Sequence, residues 1–205
     1  MDEALPPIKA LKALHAAEAE CTRCPLYKFG TQVVPGEGPS RAPIMLVGEQ
    51  PGDQEDRQGK PFVGPAGAVL ARALDEAGIA RREVFVTNAV KHFKFEPRGK
   101  RRLHKRPNAY EIDRCHVWLD IERALVRPRI VVALGATALR SLTGRALPIG
   151  KVRGRFMSLA DGTQMLATVH PSYILRIRDA ADKERQFRQL VADLKSCGEE
   201  LARAA

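Results

Sequence analysis

An α/β fold of three αβα layers, with a central and mainly parallel sheet, is predicted by two features of the sequence. Short continuous apolar runs read as strands buried on both faces, and helix-like periodicities separate them. Residues 8–19 place Ile8, Leu11 and Leu14 at helical spacing and lead to Cys21. The run at 44–47 is the first buried strand, followed by a glycine-rich loop over 48–64 and a helix over 66–77 closed by Gly78. A second strand at 84–86 ends in Thr87 and Asn88, and a strongly basic loop follows. A helix over 108–125, capped by Asn108, precedes a third buried strand at 130–134. Gly135 leads into a helix over 136–142, and residues 156–159 and 164–169 form a hairpin-like pair about Asp161 and Gly162. A charged helix starts near Lys183. Strands alternating with helices imply right-handed crossovers. With no internal repeat or linker, residues 1–205 read as a single domain.

Composition narrows the function classes. The chain has 205 residues, 44% of them hydrophobic, and a formal charge of +10. That apolar content excludes disorder, and no apolar run approaches the roughly 20 residues of a membrane span. The start, Met1-Asp2-Glu3, does not read as a signal peptide, so the chain is expected in the cytoplasm. There, four cysteines suggest metal or redox chemistry before disulfides. No heptad seam is visible, which points to a monomer. Between Lys91 and Arg106 eight basic residues stand against one acid, Glu96, so nucleic acid is the expected partner.

In sheets of this kind the ligand sits beyond the carboxyl ends of the strands. The loops there are 48–64, 88–106, Gly135 onward and 170–176, which are also rich in polar, Gly and Pro residues. Cys21 and Cys24 form a CxxC pair able to share one metal centre, with Cys115 and Cys197 available to complete a four-cysteine zinc or iron–sulfur site. His92 and His116 compete for the fourth place. The segment GEQPGDQED is neither a Walker A loop nor a dinucleotide fingerprint, but supplies the carboxylates Glu49, Asp53 and Asp56. His170 ends a strand at the same sheet edge as Asn88 and Glu49.

Taken in order, the CxxC pair, GEQPGDQED, GKPFVGPAG, TNAVKHFKF, RGKRRLHK, Cys115 and HPSYILR resemble the uracil-DNA glycosylase superfamily. They are similar to its iron–sulfur family 4, and more closely to the UdgX-type relatives of that family. The resemblance runs from Cys21 to about Arg176. It implies a uracil-DNA glycosylase-like fold and a pocket for a uracil flipped out of uracil-containing DNA, single- or double-stranded. Phe62 would stack on the base, and the Asn88 amide would pair with uracil O4 and N3–H. His170 would bind O2 as negative charge builds on the leaving base. The loop from Pro171 to Arg176 would enter the minor groove, with Ser172 at its start, Tyr173 to Leu175 filling the gap and Arg176 on phosphate.

The resemblance also implies a 4Fe–4S cluster held by Cys21, Cys24, His92 and Cys115, leaving Cys197 spare. Where family 4 is shorter, this chain carries residues 98–105, as the UdgX type does. His104 would then attack the deoxyribose C1′ once uracil departs, joining protein to DNA. The surrounding cations are expected to keep that imidazole neutral. Lys91, Arg98, Lys100, Arg101, Arg102 and Lys105 would contact DNA. Glu49 would orient His104 or stabilise the cationic sugar, Gln50 would take the place of an attacking water, and Asp53 and Asp56 would support the loop or act as bases. Two other readings stand beside this one. They are a family 4 glycosylase that turns over and releases an abasic site, and a non-catalytic DNA-binding protein stapled by metal.

Overall fold

The structure is a computed structural model that describes residues 7–203, so the acidic start lies outside the described residues. In chain order the strands are β1 (Ile44–Gly48), β2 (Val84–Asn88), β3 (Phe95–Arg98), β4 (Arg101–His104), β5 (Ile130–Leu134), β6 (Phe156–Ser158) and β7 (Gln164–Thr168). The helices are α1 (Leu11–Ala19), α2 (Asp53–Gln58), α3 (Pro65–Glu76), α4 (Ala109–Val126), α5 (Ala136–Thr143), α6 (Ile149–Val152), α7 (Pro171–Arg176) and α8 (Ala180–Arg203). The main sheet runs β2-β1-β5-β7-β6, all parallel except the antiparallel edge pair β6–β7. No helix among the described residues is long and apolar enough to cross a membrane.

Alternation along the strands explains why they read as unbroken apolar runs. Leu46, Val86, Val132 and Leu166 face α3, α7 and α8, where Leu70, Leu74, Ile174, Leu190 and Leu194 cover them. Met45, Val47, Phe85, Val131 and Met165 face the opposite way, against α4 and α5. Both faces are buried, and each fully buried Leu or Val contributes about 1.5–3 kcal/mol. A third apolar cluster joins α1 to α4 through Leu14, Leu26, Ile112, Cys115 and Trp118.

The expected helices are present with boundaries shifted by a few residues, and their ends have physical causes. Asn108 caps α4 by accepting from Glu111 N at 2.9 Å, while the Glu111 carboxylate accepts from Asn108 N at 2.7 Å. α8 starts ahead of Lys183 because Asp179 Oδ1 accepts from Asp182 N at 2.7 Å, capping an earlier turn. The loop over 48–64 contains α2, whose Glu55 accepts from Gly52 N and from Gly64 N, tying α2 to the start of α3.

Two expectations are corrected. The basic stretch is an antiparallel hairpin, β3–β4, with Arg98 opposite Arg101 across Gly99 and Lys100. Gly99 has φ of 57°, which suits such a two-residue turn. The segment from Pro171 is the short helix α7, with Pro171 in its first turn, where a missing N–H costs nothing. Its Ile174 is 2% exposed and belongs to the core, so only Tyr173, Leu175 and Arg176 face outward.

Candidate active site

Register brings the site together. Gly48 pairs with Asn88 across β1–β2, and Leu134 with Thr168 across β5–β7, so four parallel strands end on one edge. A cleft of about 1270 Å³ opens there, lined among others by Glu49, Gln50, Asp53, Phe62, Asn88, His104, His170 and Arg176. Residues spread over more than a hundred positions of sequence thus meet where the topology said a ligand would bind.

The floor is built by backbone economy. A Cβ on Gly48 would strike the Asn88 amide and come within 2.7 Å of Phe62 Cζ. Phe62 itself holds φ of 56°, a conformation costly for a side-chain residue, and a Cβ on Gly67 would collide with the Phe62 carbonyl. The Phe62 ring lies 6.0 Å from the His170 ring at 29°. The Asn88 side chain is almost wholly buried and lines the cleft.

His170 Nδ1 accepts from Ser172 N at 3.2 Å and lies 2.8 Å from Ser172 Oγ. A lone pair on Nδ1 leaves the hydrogen on Nε2, so the ring is a donor. Burial lowers its pKa to about 4, against the pull of Glu49, and it stays neutral at physiological pH. Ser172, expected to meet DNA, is instead occupied in orienting His170, with Arg176 Nη1 donating to its hydroxyl at 3.3 Å.

Glu49 faces three groups. Its Oε1 lies 3.3 Å from His104 Nε2, and its Oε2 accepts from Thr137 Oγ1 at 2.5 Å and lies 3.7 Å from Arg106 Nε. Burial pushes the carboxyl up, but the contacts with His104 and Thr137 and the nearby His170 outweigh it, so Glu49 is held below its ordinary pKa. The charged group set against His104 Nε2 is therefore a carboxylate, and the basic residues expected to surround it point elsewhere.

Three of those basic residues are internal ties. Arg102 lies between Asp53 and Asp56, both at 2.5 Å, and over the rings of Phe93 and Phe95 at 5.4 and 5.1 Å. Its assignment to DNA is corrected: it fastens the hairpin to α2. Lys105 pairs with Glu96 across the hairpin. Lys91 cannot contact DNA, because it is 1% exposed and bound to Glu122 at 2.7 Å, with Thr87 and Glu18 alongside. Arg98, Lys100 and Arg101 remain exposed at the hairpin tip. Gln50 is corrected as well. Its amide accepts from Lys94 N and donates to the carbonyls of Lys94 and Lys105, all at 3.1 Å, clamping both roots of the hairpin.

Cys24, Cys115 and the partly exposed Cys21 gather in the α1–α4 cluster, whereas Cys197 packs on the far side of the sheet. Lys91 N donates to Cys115 Sγ and Trp118 Nε1 to Cys21 Sγ, both at 3.2 Å. Burial pushes the Cys115 thiol up to about 12 and keeps His92 neutral, with Asp56 opposing the latter. Among the described residues, no three His, Cys, Asp or Glu side chains stand together as a finished metal cage. The donor set nonetheless suits an iron–sulfur centre: soft sulfurs already receiving N–H bonds and a neutral imidazole. His116 does not compete, being paired with Asp120 at 2.9 Å.

Three contributors escaped the sequence reading. Gly48 was visible only as a generic glycine, since its role depends on the cross-strand partner. Thr137 stands in the first turn after Gly135, a loop the topology had flagged. Arg106 counts in the sequence only as one of the eight cations of the basic stretch, and its contact with Glu49 depends on the fold.

A family model described as the uracil DNA glycosylase superfamily matches residues 35–195. The type-4 uracil-DNA glycosylase of Pyrobaculum aerophilum is 39% identical over 173 residues, covering 81% of this chain and 85% of that protein. Its counterpart in Thermotoga maritima is 41% identical over 160 residues, covering 78% and 80%. That of Saccharolobus solfataricus is 41% identical over 164 residues, covering 76% and 73%.

Proposed function

The chain belongs to the uracil-DNA glycosylase superfamily and within it to the type-4 uracil-DNA glycosylases, and from that premise we propose that it excises uracil from DNA and captures the sugar through His104. The observation that carries the second half is the placement of His104 Nε2 3.3 Å from Glu49 Oε1, in the cleft shared with Asn88, Phe62 and His170.

A flipped uracil enters the cleft with its face on Phe62 and its amide edge on the Asn88 side chain, which can donate and accept at once. The neutral His170 donates from Nε2 to uracil O2. The C1′–N1 bond breaks and its electron pair leaves with the base, so negative charge reaches O2 where that donor is already placed. Positive charge develops at C1′, opposite the ionised Glu49. A lone pair on the His104 imidazole then forms the new C1′–N bond, and Glu49 neutralises the imidazolium that results. Arg98, Lys100, Arg101, Tyr173, Leu175 and Arg176 are read as the DNA-contacting surface. Cys21, Cys24, His92 and Cys115 are read as holders of a 4Fe–4S cluster, which would cross-link α1, the loop after β2 and α4.

The test is a denaturing gel of the protein with uracil-containing single-stranded DNA, run beside an assay for free uracil. The expected result is a covalent species and about one uracil released per protein, with His104→Ser losing the adduct and still releasing base. Many turnovers without an adduct would assign the chain to the ordinary turnover reaction instead. Equal binding of uracil and thymine DNA with no base released would leave only a binding role.

A further inference from the structure

Lys94 of the basic run is paired with Glu111 at 2.8 Å, and the last cation, Arg106, belongs neither to the hairpin tip nor to its ties. Arg106 follows β4 and is fixed from behind by the buried Pro107 and the α4 cap at Asn108. Its Nε lies 3.3 Å from Thr137 Oγ1 and 3.7 Å from Glu49 Oε2, while its side chain is 62% exposed and lines the cleft. The Thr137 hydroxyl donates to the same Glu49 oxygen. Arg106, Thr137, Glu49 and His104 thus form one continuous polar chain from the rim of the cleft to the imidazole.

An exposed arginine–carboxylate pair by itself contributes little to stability. The geometry has a second use for it. With Nε engaged on the protein, the two terminal nitrogens of the guanidinium are left at the cleft rim, in the fork that suits phosphate oxygens. The cleft is far larger than one base requires, which leaves room along the Arg106 rim for the backbone beside a flipped nucleotide.

We propose that Arg106 is a phosphate-binding residue for the nucleotide in the cleft, gripping a phosphodiester with its terminal nitrogens while its Nε steadies the Thr137–Glu49 pair. DNA binding is thereby coupled to the orientation of Glu49 against His104. Arg106 is a positioning residue, and the proposal rests on the uracil-DNA reading of the site. A lysine at this rim would supply charge, but its donors all sit on one compact nitrogen, which cannot grip a phosphate and hold the hydroxyl and carboxylate behind it at the same time.

The experiment follows uracil release under single-turnover conditions, with protein in excess over uracil-containing single-stranded DNA across a range of salt concentrations. In Arg106→Gln the half-saturating protein concentration rises about tenfold, and the salt slope falls by about 0.7, the value for one lost phosphate contact on a single strand. Arg106→Lys keeps the slope but releases uracil several-fold more slowly at saturation. A neutral methylphosphonate beside the uridine, tried on its 5′ and its 3′ side, weakens the wild type at one of the two positions and does not weaken Arg106→Gln further there. A wild-type slope and half-saturation in Arg106→Gln, or additive losses at both methylphosphonates, overturn the proposal. If the wild type releases no uracil, the glycosylase reading itself fails.

Discussion

Gly48 shows how much of the chemistry rests on an atom that is absent. The pocket floor is the place where β1 passes under the Asn88 amide and the Phe62 ring, and neither can retreat, since Asn88 ends β2 and Phe62 is held by Gly67. Gly48→Ala is expected to slow uracil release at least about 100-fold, equivalent to about 2.7 kcal/mol, with the unfolding midpoint much less affected. Single-turnover release and a thermal melt on the same preparation measure the two. Candidate residues such as Asn88, His170 and Glu49 were legible because strand ends are legible. Which way a side chain faces was not: Lys91 and Arg102 carry the same charge as Lys100 and Arg101 in sequence. Only the structure shows that the first pair neutralise Glu122, Asp53 and Asp56 while the second face solvent.

The β3–β4 hairpin shows the same division at the scale of elements. An isolated two-stranded hairpin is marginal in water, and this one has four residues in each strand. Its alternation puts Arg102 and His104 on the face turned to the protein, and Arg101 and Leu103 on the outer one. It is held by Arg102 on two carboxylates and by the Gln50 clamp at its roots. Gln50→Ala is expected to leave uracil release within a few-fold of wild type and to slow the covalent adduct about tenfold, because it loosens the carrier of His104 and not the base pocket. Gel-resolved adduct set against released uracil over the same time course decides this. If both fall in parallel, the clamp serves the pocket as a whole. The sequence contained the signal for the turn, Gly99-Lys100 between alternating runs, but charge density drew the reading toward a loop. The helix at Pro171 was hidden for a related reason, since six residues are too few to establish a period.

At the scale of the whole molecule, a buried charge network joins α1, β2 and α4. Lys91 and Glu122 pair at 2.7 Å, Thr87 donates to Glu122 at 2.8 Å, and Gly36 N donates to it at 2.9 Å. Glu18 lies 3.9 Å from the same lysine, and burial raises its pKa to about 8 although Lys91 opposes the rise. One lysine thus serves one carboxylate, and Glu18 is held as the neutral acid at pH 7. The folded protein therefore binds a proton that the unfolded chain has released above pH of about 4.5, so this group's contribution to stability declines as pH rises toward 8. Glu18→Gln is expected to remove that decline, flattening stability between pH 6.5 and 8 by up to about 1.4 kcal/mol per pH unit relative to wild type. Urea unfolding at several pH values checks it, and parallel curves for the two proteins would show that Glu18 is already ionised. The sequence by itself determined the layered α/β architecture, the strand edge that carries the site and the residue types gathered there. It could do so because a strand buried on both faces must be apolar throughout, and because parallel strands deliver their carboxyl ends to one side. Tertiary structure alone decided which charges are spent inside, that Gln50 holds a hairpin, that Arg106 reaches Glu49 and that Cys197 stands apart from the other thiols. Those outcomes depend on contacts between segments far apart in the chain, and no local pattern encodes them.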